Sequence, residues 1–504
     1  NIMSKNEKKN AISRRNFVNK TLVASAGFTI VPSFAVSGLG HVAPSDKLNI
    51  IGVGVGGMGL RNLKNLKSQN IVGLCDVDWK YAKGAFDEFP KAKQYWDWRK
   101  MYEEMEDEFD AVVIATADHT HAITAAHAMT MGKHVYLQKP LTHSVYESRL
   151  LTNLAAHHKV ATQMGNQGAS GAGVAETCEI LWSGALGDVV KVESFTDRPI
   201  WPQGLNTPEA VDPIPDTLNW ELFTGPAKMR PFNEVYHPWN WRGWWDYGTG
   251  ALGDMACHIL HPVYEGLKLG YPTKAQASSS LLLNDSAPVA QSAKLTFPER
   301  GKVGSINLPE VDVHWYDGGI KPELPDNWPA GKNPNKNGGG TFFYGTKDIL
   351  HTGCYGLEPE LLSGKKITAP KTERRVEEEM GLSWGGGAHE MDWVRACKES
   401  PENRTPCTSD FAEAGPFNEM VVMGVLAVRL QDLNKTLEWD GENMEFTNIG
   451  ATEEIRNIVK DGFEIHDGHP TFNKEYTDPM NALAYSQELV KHTYRDGWEL
   501  PPMP

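Results

Sequence analysis

The first half of the chain alternates short apolar runs with longer amphipathic stretches. Apolar runs rich in β-branched residues predict parallel strands, because a strand covered by helices on both faces has no polar side. Such strands are predicted at 48–53, 70–74, 110–116, 133–137 and 160–164. Helices are predicted between and after them at 60–68, 79–89, 120–131 and 145–157. The alternation predicts a parallel sheet with helices on its faces.

The pattern changes after about residue 188. An exposed edge strand is predicted at 188–196, and a structured loop rich in Pro, Trp and Asn at 201–242. Strands of an antiparallel sheet are predicted at 274–283, 293–298, 302–307 and 312–316, with a hairpin at 341–351. Helices are predicted at 252–267, 387–400 and 411–430, and a long exposed loop at 322–340. The second half therefore predicts a mixed α/β domain.

Three glycines follow the first strand directly at G-x-G-x-x-G spacing: Gly54, Gly56 and Gly59. This spacing allows a tight turn, close approach of a pyrophosphate and close packing of a helix on the sheet. Asp76 lies 22 residues after Gly54 (76 − 54), where an acid can accept hydrogen bonds from the adenine ribose. With no arginine between Asp76 and Arg99 to receive a 2′-phosphate, the motif favours NAD over NADP.

Composition narrows the choice of partners. The chain has 504 residues, a net charge of −15 and no long basic block, so a nucleic-acid partner is not expected. Its six cysteines are scattered without a C-x-x-C pair, which argues against a zinc cluster. A disulfide bond between two of these cysteines remains an alternative if the protein is exported, but the sequence does not assign one.

The N-terminus combines Arg14-Arg15 with a weakly apolar run at 22–36. This combination resembles a twin-arginine export signal, and the run is too short and too rich in small residues for a good membrane span. We expect residues 1–46 to be signal and linker and the mature protein to be periplasmic or otherwise exported. A basic disordered tail is the alternative. Because the twin-arginine route carries folded proteins, export by it fits a tightly held NAD.

The motifs together resemble the glucose–fructose oxidoreductase / inositol 2-dehydrogenase family, Gfo/Idh/MocA. The matching segments, in the family's order, are 51–59, 75–78, 114–121, 132–135, 139–140 and 250–258. Two positions depart from the family: Gln138 stands where Glu is usual, and Ala117 where Pro is usual. The resemblance implies a Rossmann NAD-binding domain at 47–187. It also implies a C-terminal α/β domain at 188–504, with a large, mostly antiparallel sheet for substrate and oligomer contacts.

The same resemblance implies catalytic roles for Lys139, Asp254 and His258. Asp254 and His258 are four residues apart, so a helix places them one turn apart on one face. Histidine suits proton transfer, and lysine can stabilise a developing alkoxide. The expected cofactor contacts are Gly54, Gly56, Gly57, Met58, Gly59, Asp76, Thr116, His121, Gln138 and Lys139. No metal is required, although a metal site formed by Asp254, His258 and His261 is an open alternative.

An aromatic stretch leads into the predicted Asp254 helix. Its side chains could line a saccharide site, because sugar rings present C–H faces rimmed by hydroxyls. The expected substrate contacts are Trp239, Trp241, Arg242, Trp244, Asp254 and His258. The alternative is that these aromatics only bury the long loop. His119 is a possible nicotinamide or substrate contact, and Trp384 with His389 forms a weaker candidate pair.

The sequence therefore predicts an exported NAD-dependent oxidoreductase that converts a ring hydroxyl of a sugar or glycoside to a ketone. The alternative is an NAD-dependent, redox-neutral glycoside-cleaving enzyme that works through a transient 3-keto sugar. A binding protein that retains only the fold is disfavoured by the presence of Lys139, Asp254 and His258 together. The resemblance also implies a homodimer or homotetramer.

Overall fold

Six strands of the N-terminal half form one parallel sheet, in the order β3-β2-β1-β4-β5-β6. A computed structural model describes residues 46–374, 376 and 386–504 of the chain, so the predicted signal lies outside the described residues, apart from residue 46. The six strands are β1 Asn49–Val53, β2 Asn70–Cys75, β3 Lys93–Tyr95, β4 Ala111–Ile114, β5 His134–Leu137 and β6 Thr162–Met164. All but β3 were predicted, from apolar runs that contain or adjoin them.

Five helices accompany this sheet: α1 Met58–Asn65, α2 Lys83–Glu88, α3 Trp98–Met105, α4 His121–Thr130 and α5 Val145–His158. Helix α2 is shorter than the predicted 79–89. The carboxylate of Asp78 accepts hydrogen bonds from the backbone N–H of Lys80 and Tyr81, which holds the first residues in a turn instead. Helix α3 was not predicted.

Fifteen further strands are described in the C-terminal half. They are β7 Val189–Thr196, β8 Lys274–Ser279, β9 Gln291–Phe297, β10 Lys302–Val303, β11 Ile306–Asn307, β12 Val311–Tyr316, β13 Gly339–Gly345, β14 Ile349–Gly353, β15 Glu360–Leu361, β16 Leu437–Asp440, β17 Glu445–Phe446, β18 Glu454–Ile455, β19 Ile458–His466, β20 His469–Tyr476 and β21 Met480–Asn481. Nine form one sheet, β15-β14-β13-β7-β12-β9-β8-β16-β17, in which only β7 and β12 pair in parallel. The predicted fold class, a Rossmann domain followed by an α/β domain with a large, mostly antiparallel sheet, is confirmed.

Two strand predictions in this half are wrong. Strand β7 is not an exposed edge, because it lies between β13 and β12 near the middle of the sheet. Residues 302–307 do not join the sheet and instead form the small hairpin β10–β11. The C-terminal hairpin β19–β20 was not predicted, and every residue of β20 is exposed.

The remaining helices are α6 Ala172–Trp182, α7 Trp220–Thr224, α8 Gly250–Ile259, α9 His261–Gly266, α10 Ala388–Lys398, α11 Phe411–Arg429 and α12 Ala482–Val490. The single helix predicted at 252–267 is two helices that meet at Leu260, with Pro262 in the first turn of α9. Helix α11 packs against α5, α8, β8 and β9 and thereby joins the two sheets.

Helix α11 also has the length and composition of a membrane span, alone among the helices that the structure describes. However, 83% of its apolar window is buried inside the protein. Its apolar surface is thus used in the core between the two sheets.

Candidate active site

A cleft lies at the carboxyl ends of the parallel strands, where open α/β sheets bind their ligands. Its walls come from the loops after β1, β2, β3, β4 and β5, from the segment 237–242, from α8 and from the C-terminal segment. The cleft therefore combines residues that are far apart in the chain.

The glycine-rich loop after β1 has the shape that a dinucleotide requires. Gly54 has a φ of +74°, and a Cβ there would lie 2.7 Å from the carbonyl of Ala115. A Cβ on Gly59 would overlap the carbonyl oxygen of Gly54. These two positions therefore accept only glycine. Gly56, Gly57 and Met58 line the cleft, and the ring of Tyr81 lies over Gly56.

Asp76 follows β2 and lines the same cleft, with only 8% of its surface exposed. Its carboxylate accepts hydrogen bonds from the backbone N–H of Val55 at 2.8 Å, Gly56 at 3.2 Å and Asp78 at 2.9 Å. Burial raises the pKa of Asp76 from 3.8 to about 6, although these hydrogen bonds act in the opposite direction. The carboxylate thus braces the glycine loop and stands where the adenine ribose is expected. These features fit a bound NAD.

The structure brings Lys139 and Asp254 together at the other side of the cleft. The Nζ of Lys139, after β5, donates to the Oδ1 of Asp254 at 2.8 Å and to its backbone carbonyl at 2.9 Å. The Nε of Arg242 lies 3.5 Å from the same Oδ1. Although burial acts to raise it, the pKa of Asp254 falls to about 2, because Lys139 and Arg242 both stabilise the carboxylate.

His258 lies one turn after Asp254 on α8, as predicted, but it is not among the residues that line the cleft. It is 4% exposed, and its ring packs edge-on against Tyr355 with centroids 5.0 Å apart. Burial, with the nearby charge of Lys139, lowers the pKa of His258 to about 3. Its imidazole is therefore neutral at pH 7, and its buried Nδ1 has no hydrogen-bond partner among the described residues.

The aromatic stretch divides into two parts. Trp239 and Trp241 line the cleft, and the guanidinium of Arg242 lies 3.8 Å and 4.3 Å from the centres of their rings. Trp244 is 2% exposed, and its Nε1 donates to the carbonyl of Val235 in a separate aromatic core. The structure does not bring Trp244 to the cleft, and it supports the core interpretation for this one residue.

Three other predicted cofactor contacts differ in position. Thr116 and Gln138 line the cleft, and the Nε2 of Gln138 donates to Asn62 at 2.9 Å. His121 is fully buried behind the cleft, with its ring nitrogens 2.8 Å from the carbonyl of Pro140 and 3.0 Å from that of Thr116. His121 therefore holds the two loops in place.

Sequence reasoning gave His119 only a possible role and missed His237, Trp98 and Trp498, all of which line the cleft. The Nε2 of His237 lies 2.8 Å from the carboxylate of Asp78. No local motif marks these residues, because the segments that carry them meet only in the folded chain.

The open alternative of a metal bound by Asp254 and two histidines receives no support from the geometry. In the described ranges, the one trio of potential ligands is His261, Glu265 and Glu413, without Asp254 or His258. Trp384 lies outside the described residues, and His389 is buried with its Nε2 2.8 Å from the carbonyl of Met164.

Two family profiles match the chain. Residues 47–166 match the NAD-binding Rossmann fold of the Gfo/Idh/MocA oxidoreductase family, and residues 173–275 match its C-terminal α/β domain. No curated protein matches the chain. The chain therefore contains both domains of this family, and its cofactor is NAD.

Solved structures share the fold. The WlbA dehydrogenase from Chromobacterium violaceum, in complex with NADH and UDP-GlcNAcA, has a TM-score of 0.52 at 16% identity, covering 78% of this chain and 96% of its own. An inositol dehydrogenase homologue from Azotobacter vinelandii, complexed with NADH and myo-inositol, has a TM-score of 0.50 at 16% identity, covering 78% and 98%. An NAD binding oxidoreductase from Klebsiella pneumoniae has a TM-score of 0.52 at 18% identity, covering 78% and 99%.

Proposed function

Because the chain carries the NAD-binding and C-terminal domains of the Gfo/Idh/MocA oxidoreductases, we propose that it oxidises a ring hydroxyl of a sugar or glycoside to a ketone. The observation that carries the proposal is the meeting of Lys139 and Asp254 in the same cleft as the glycine-rich loop. A proton and a hydride must leave the carbinol together, and this arrangement places a cationic donor beside the cofactor site.

Lys139 is suited to hold the reacting oxygen. An ammonium group has three donors, and Asp254 takes two of them with its carboxylate and its carbonyl. The third donor can hydrogen-bond the substrate oxygen and stabilise the negative charge that develops on it. Asp254 stays ionised and fixes the position of the ammonium. Bound NAD would accept the hydride.

His258 is proposed to take the proton. It is neutral at pH 7, so it can accept a proton, and it lies one turn behind Asp254. Its low pKa makes the imidazole a weak base in the free protein, so proton transfer to it depends on Lys139 stabilising the charge that develops on the substrate oxygen.

The cleft favours a polyhydroxylated ring as the substrate. Trp239 and Trp241 offer flat apolar faces beside the charged group of Arg242, and this combination suits a ring with C–H faces and hydroxyl edges. Two structures of the same fold contain ligands of this kind, UDP-GlcNAcA and myo-inositol.

We further propose that the protein is exported through Arg14-Arg15 with NAD already bound, and that it assembles as a homodimer or homotetramer. Free NAD is scarce outside the cytoplasm, so the reduced cofactor must be reoxidised on the enzyme. Reduction of a second sugar would do this, and so would a cycle that ends by reducing its own intermediate.

The test starts from protein purified without added nucleotide. NAD(H) released by denaturation is measured first, and the intact protein is then given a panel of glycosides while NADH absorbance and sugar products are followed. A ketosugar formed with stoichiometric NAD reduction supports the proposal. Released aglycone without net NADH favours the redox-neutral alternative.

A variant makes the test specific. We expect Lys139→Met to keep NAD and to lose about 10²–10³-fold in the rate of NAD reduction, the usual loss for one charge-stabilising donor. Lys83→Met is the matched control, because the Lys83 side chain is 71% exposed and lies outside the cleft. Equal rates for the two variants would contradict the role of Lys139.

A further inference from the structure

The C-terminal residues of the chain form part of the cofactor cleft. Trp498 is 6% exposed, lies among the cleft-lining residues, and has its ring centre 6.4 Å from that of Trp98. The guanidinium of Arg99 lies 4.1 Å from the centre of the Trp498 ring on one of its faces. A residue of the C-terminal segment thus contributes to a wall of the Rossmann domain.

The position of Trp498 identifies the half of the dinucleotide that it faces. Trp96, Asp97 and Trp98 follow β3, at one edge of the parallel sheet, whereas Lys139 follows β5 on the other side of β1. Lys139 marks the nicotinamide end, and the glycine loop after β1 lies between the two. The cleft beside β2 and β3 is therefore the adenine end.

The C-terminal segment 494–499 is attached on both sides of this end. Arg495 binds the loop after α7, donating through its backbone N–H to Pro226 at 2.9 Å and through its Nε to Gly225 at 3.0 Å. On the Rossmann side, the carbonyl of Glu499 lies 3.0 Å from the Nε2 of His127. Tyr494 donates to Glu147 on α5 at 2.7 Å. The segment is thus a strap across the cleft's edge with anchors before and after Trp498.

We propose that this C-terminal strap, residues 494–499, closes the adenine end of the NAD site and that Trp498 packs against the adenine ring. An indole offers an apolar face to a base, and such stacking contributes through contact area without reading the base. Release of NAD then requires the anchors of the strap to open. This inference rests on the proposed function, because a recycled cofactor must not dissociate, and the strap supplies that retention.

The experiment measures NAD release directly. Full-length protein is loaded with NAD, desalted, and followed over time for nucleotide that leaves the protein in the presence of an NAD-trapping enzyme. We expect Trp498→Ala to release NAD at least fivefold and up to about a hundredfold faster, as the loss of one stacked base predicts. Trp498→Phe, which keeps an aromatic ring, should release NAD at a rate between those of Trp498→Ala and the wild type.

Two more variants separate retention from folding. Arg495→Ala keeps the Trp498 side chain and the backbone bond to Pro226 but removes the side-chain anchor to Gly225, and we expect faster release from it as well. Trp328→Ala removes a tryptophan outside the cleft, whose Nε1 donates to the backbone carbonyl of Lys332, and should leave the rate unchanged. Thermal unfolding of each variant reports whether it is folded. If Trp498→Ala does not fold, Trp498→Phe and Arg495→Ala decide the question.

The outcomes distinguish the two proposals. Folded Trp498→Ala and Arg495→Ala that both release NAD at the wild-type rate would overturn the strap. If Trp328→Ala released NAD as fast as Trp498→Ala, the strap would also be overturned, because loss of a tryptophan outside the cleft would then have the same effect. Wild-type protein that neither contains nor takes up NAD would instead overturn the proposed function.

Discussion

Substitution of Asp76 by asparagine separates the stability that the buried carboxylate costs the free protein from the benefit that it brings to NAD binding. The pKa of Asp76 is raised from 3.8 to about 6, chiefly by burial. A folded carboxyl with a raised pKa holds its proton more tightly than the unfolded chain does, so stability falls as pH rises from about 4 to about 6 and is level above that. At neutral pH the ionised Asp76 therefore costs the free protein about 3 kcal/mol relative to acid pH.

The change in the free energy of unfolding of the Asp76→Asn variant has one part that depends on pH and one that does not. The introduced amide never ionises, so the pH-dependent cost disappears. The amide oxygen can still accept from Val55, but its NH₂ group would face the N–H of Asp78, a loss of about 1 kcal/mol at every pH. Between pH 4.5 and pH 7.5 the variant should therefore gain about 2 kcal/mol on the wild type.

The assay is the thermal midpoint of NAD-free protein at several pH values. For a folded unit of this size, about 2 kcal/mol corresponds to a relative rise of about 2 °C in the midpoint of Asp76→Asn across this interval. The variant should also bind NAD more weakly, because the ribose loses a charged acceptor. A difference between variant and wild type that stays constant, or shrinks, from pH 4.5 to 7.5 would refute the reasoning.

Three further outcomes are expected. Asp254→Asn should lower stability by about 2.5 kcal/mol at every pH from 4.5 to 7.5, because the pKa of Asp254 is lowered to about 2 and its contribution is lost only below that interval; a midpoint difference that grows with pH would contradict this. Gly59→Ala should abolish NAD retention and cost about 1–3 kcal/mol, since its Cβ would overlap the Gly54 carbonyl, whereas Gly270→Ala, where no atom lies within 4 Å, should do neither. A reductant should leave the thermal midpoint unchanged, because all six cysteines are buried as thiols, and a lowered midpoint would indicate a disulfide.

Local signals explain why the Rossmann half was predictable. A buried parallel strand is an uninterrupted apolar run, and the glycine spacing after β1 is required by contacts within about twenty residues of sequence. Strand β3 was not predicted, because its Lys93 and Gln94 are exposed and it therefore contains no apolar run. The pairing of Lys139 with Asp254 could be expected only through the resemblance to a family, since these residues are 115 positions apart.

The order of strands in the large sheet is set by contacts that no local pattern records. In strand β7 Lys191 and Glu193 alternate with apolar residues, a pattern that is typical of a solvent-facing strand. In the structure Glu193 is buried and accepts a hydrogen bond from the hydroxyl of Tyr344 on the neighbouring β13 at 2.7 Å. A buried glutamate with a hydrogen-bond partner therefore gives the same sequence pattern as an exposed glutamate. Trp498 was missed for the same reason, since its partners belong to a distant part of the chain.

The cleft also has an order of assembly that follows the direction of protein synthesis. Its glycine-rich loop begins at residue 54, and the last residue that lines the cleft, Trp498, is synthesised 444 positions later (498 − 54). A ribosome holds the most recently added residues in its tunnel, so the Rossmann sheet can form well before the cleft is closed. A chain that stops before Trp498, or loses this segment to a protease, would carry every residue of the nucleotide motif and still lack one wall of the site. Possession of a complete cleft therefore distinguishes a chain that contains Trp498 from one that does not.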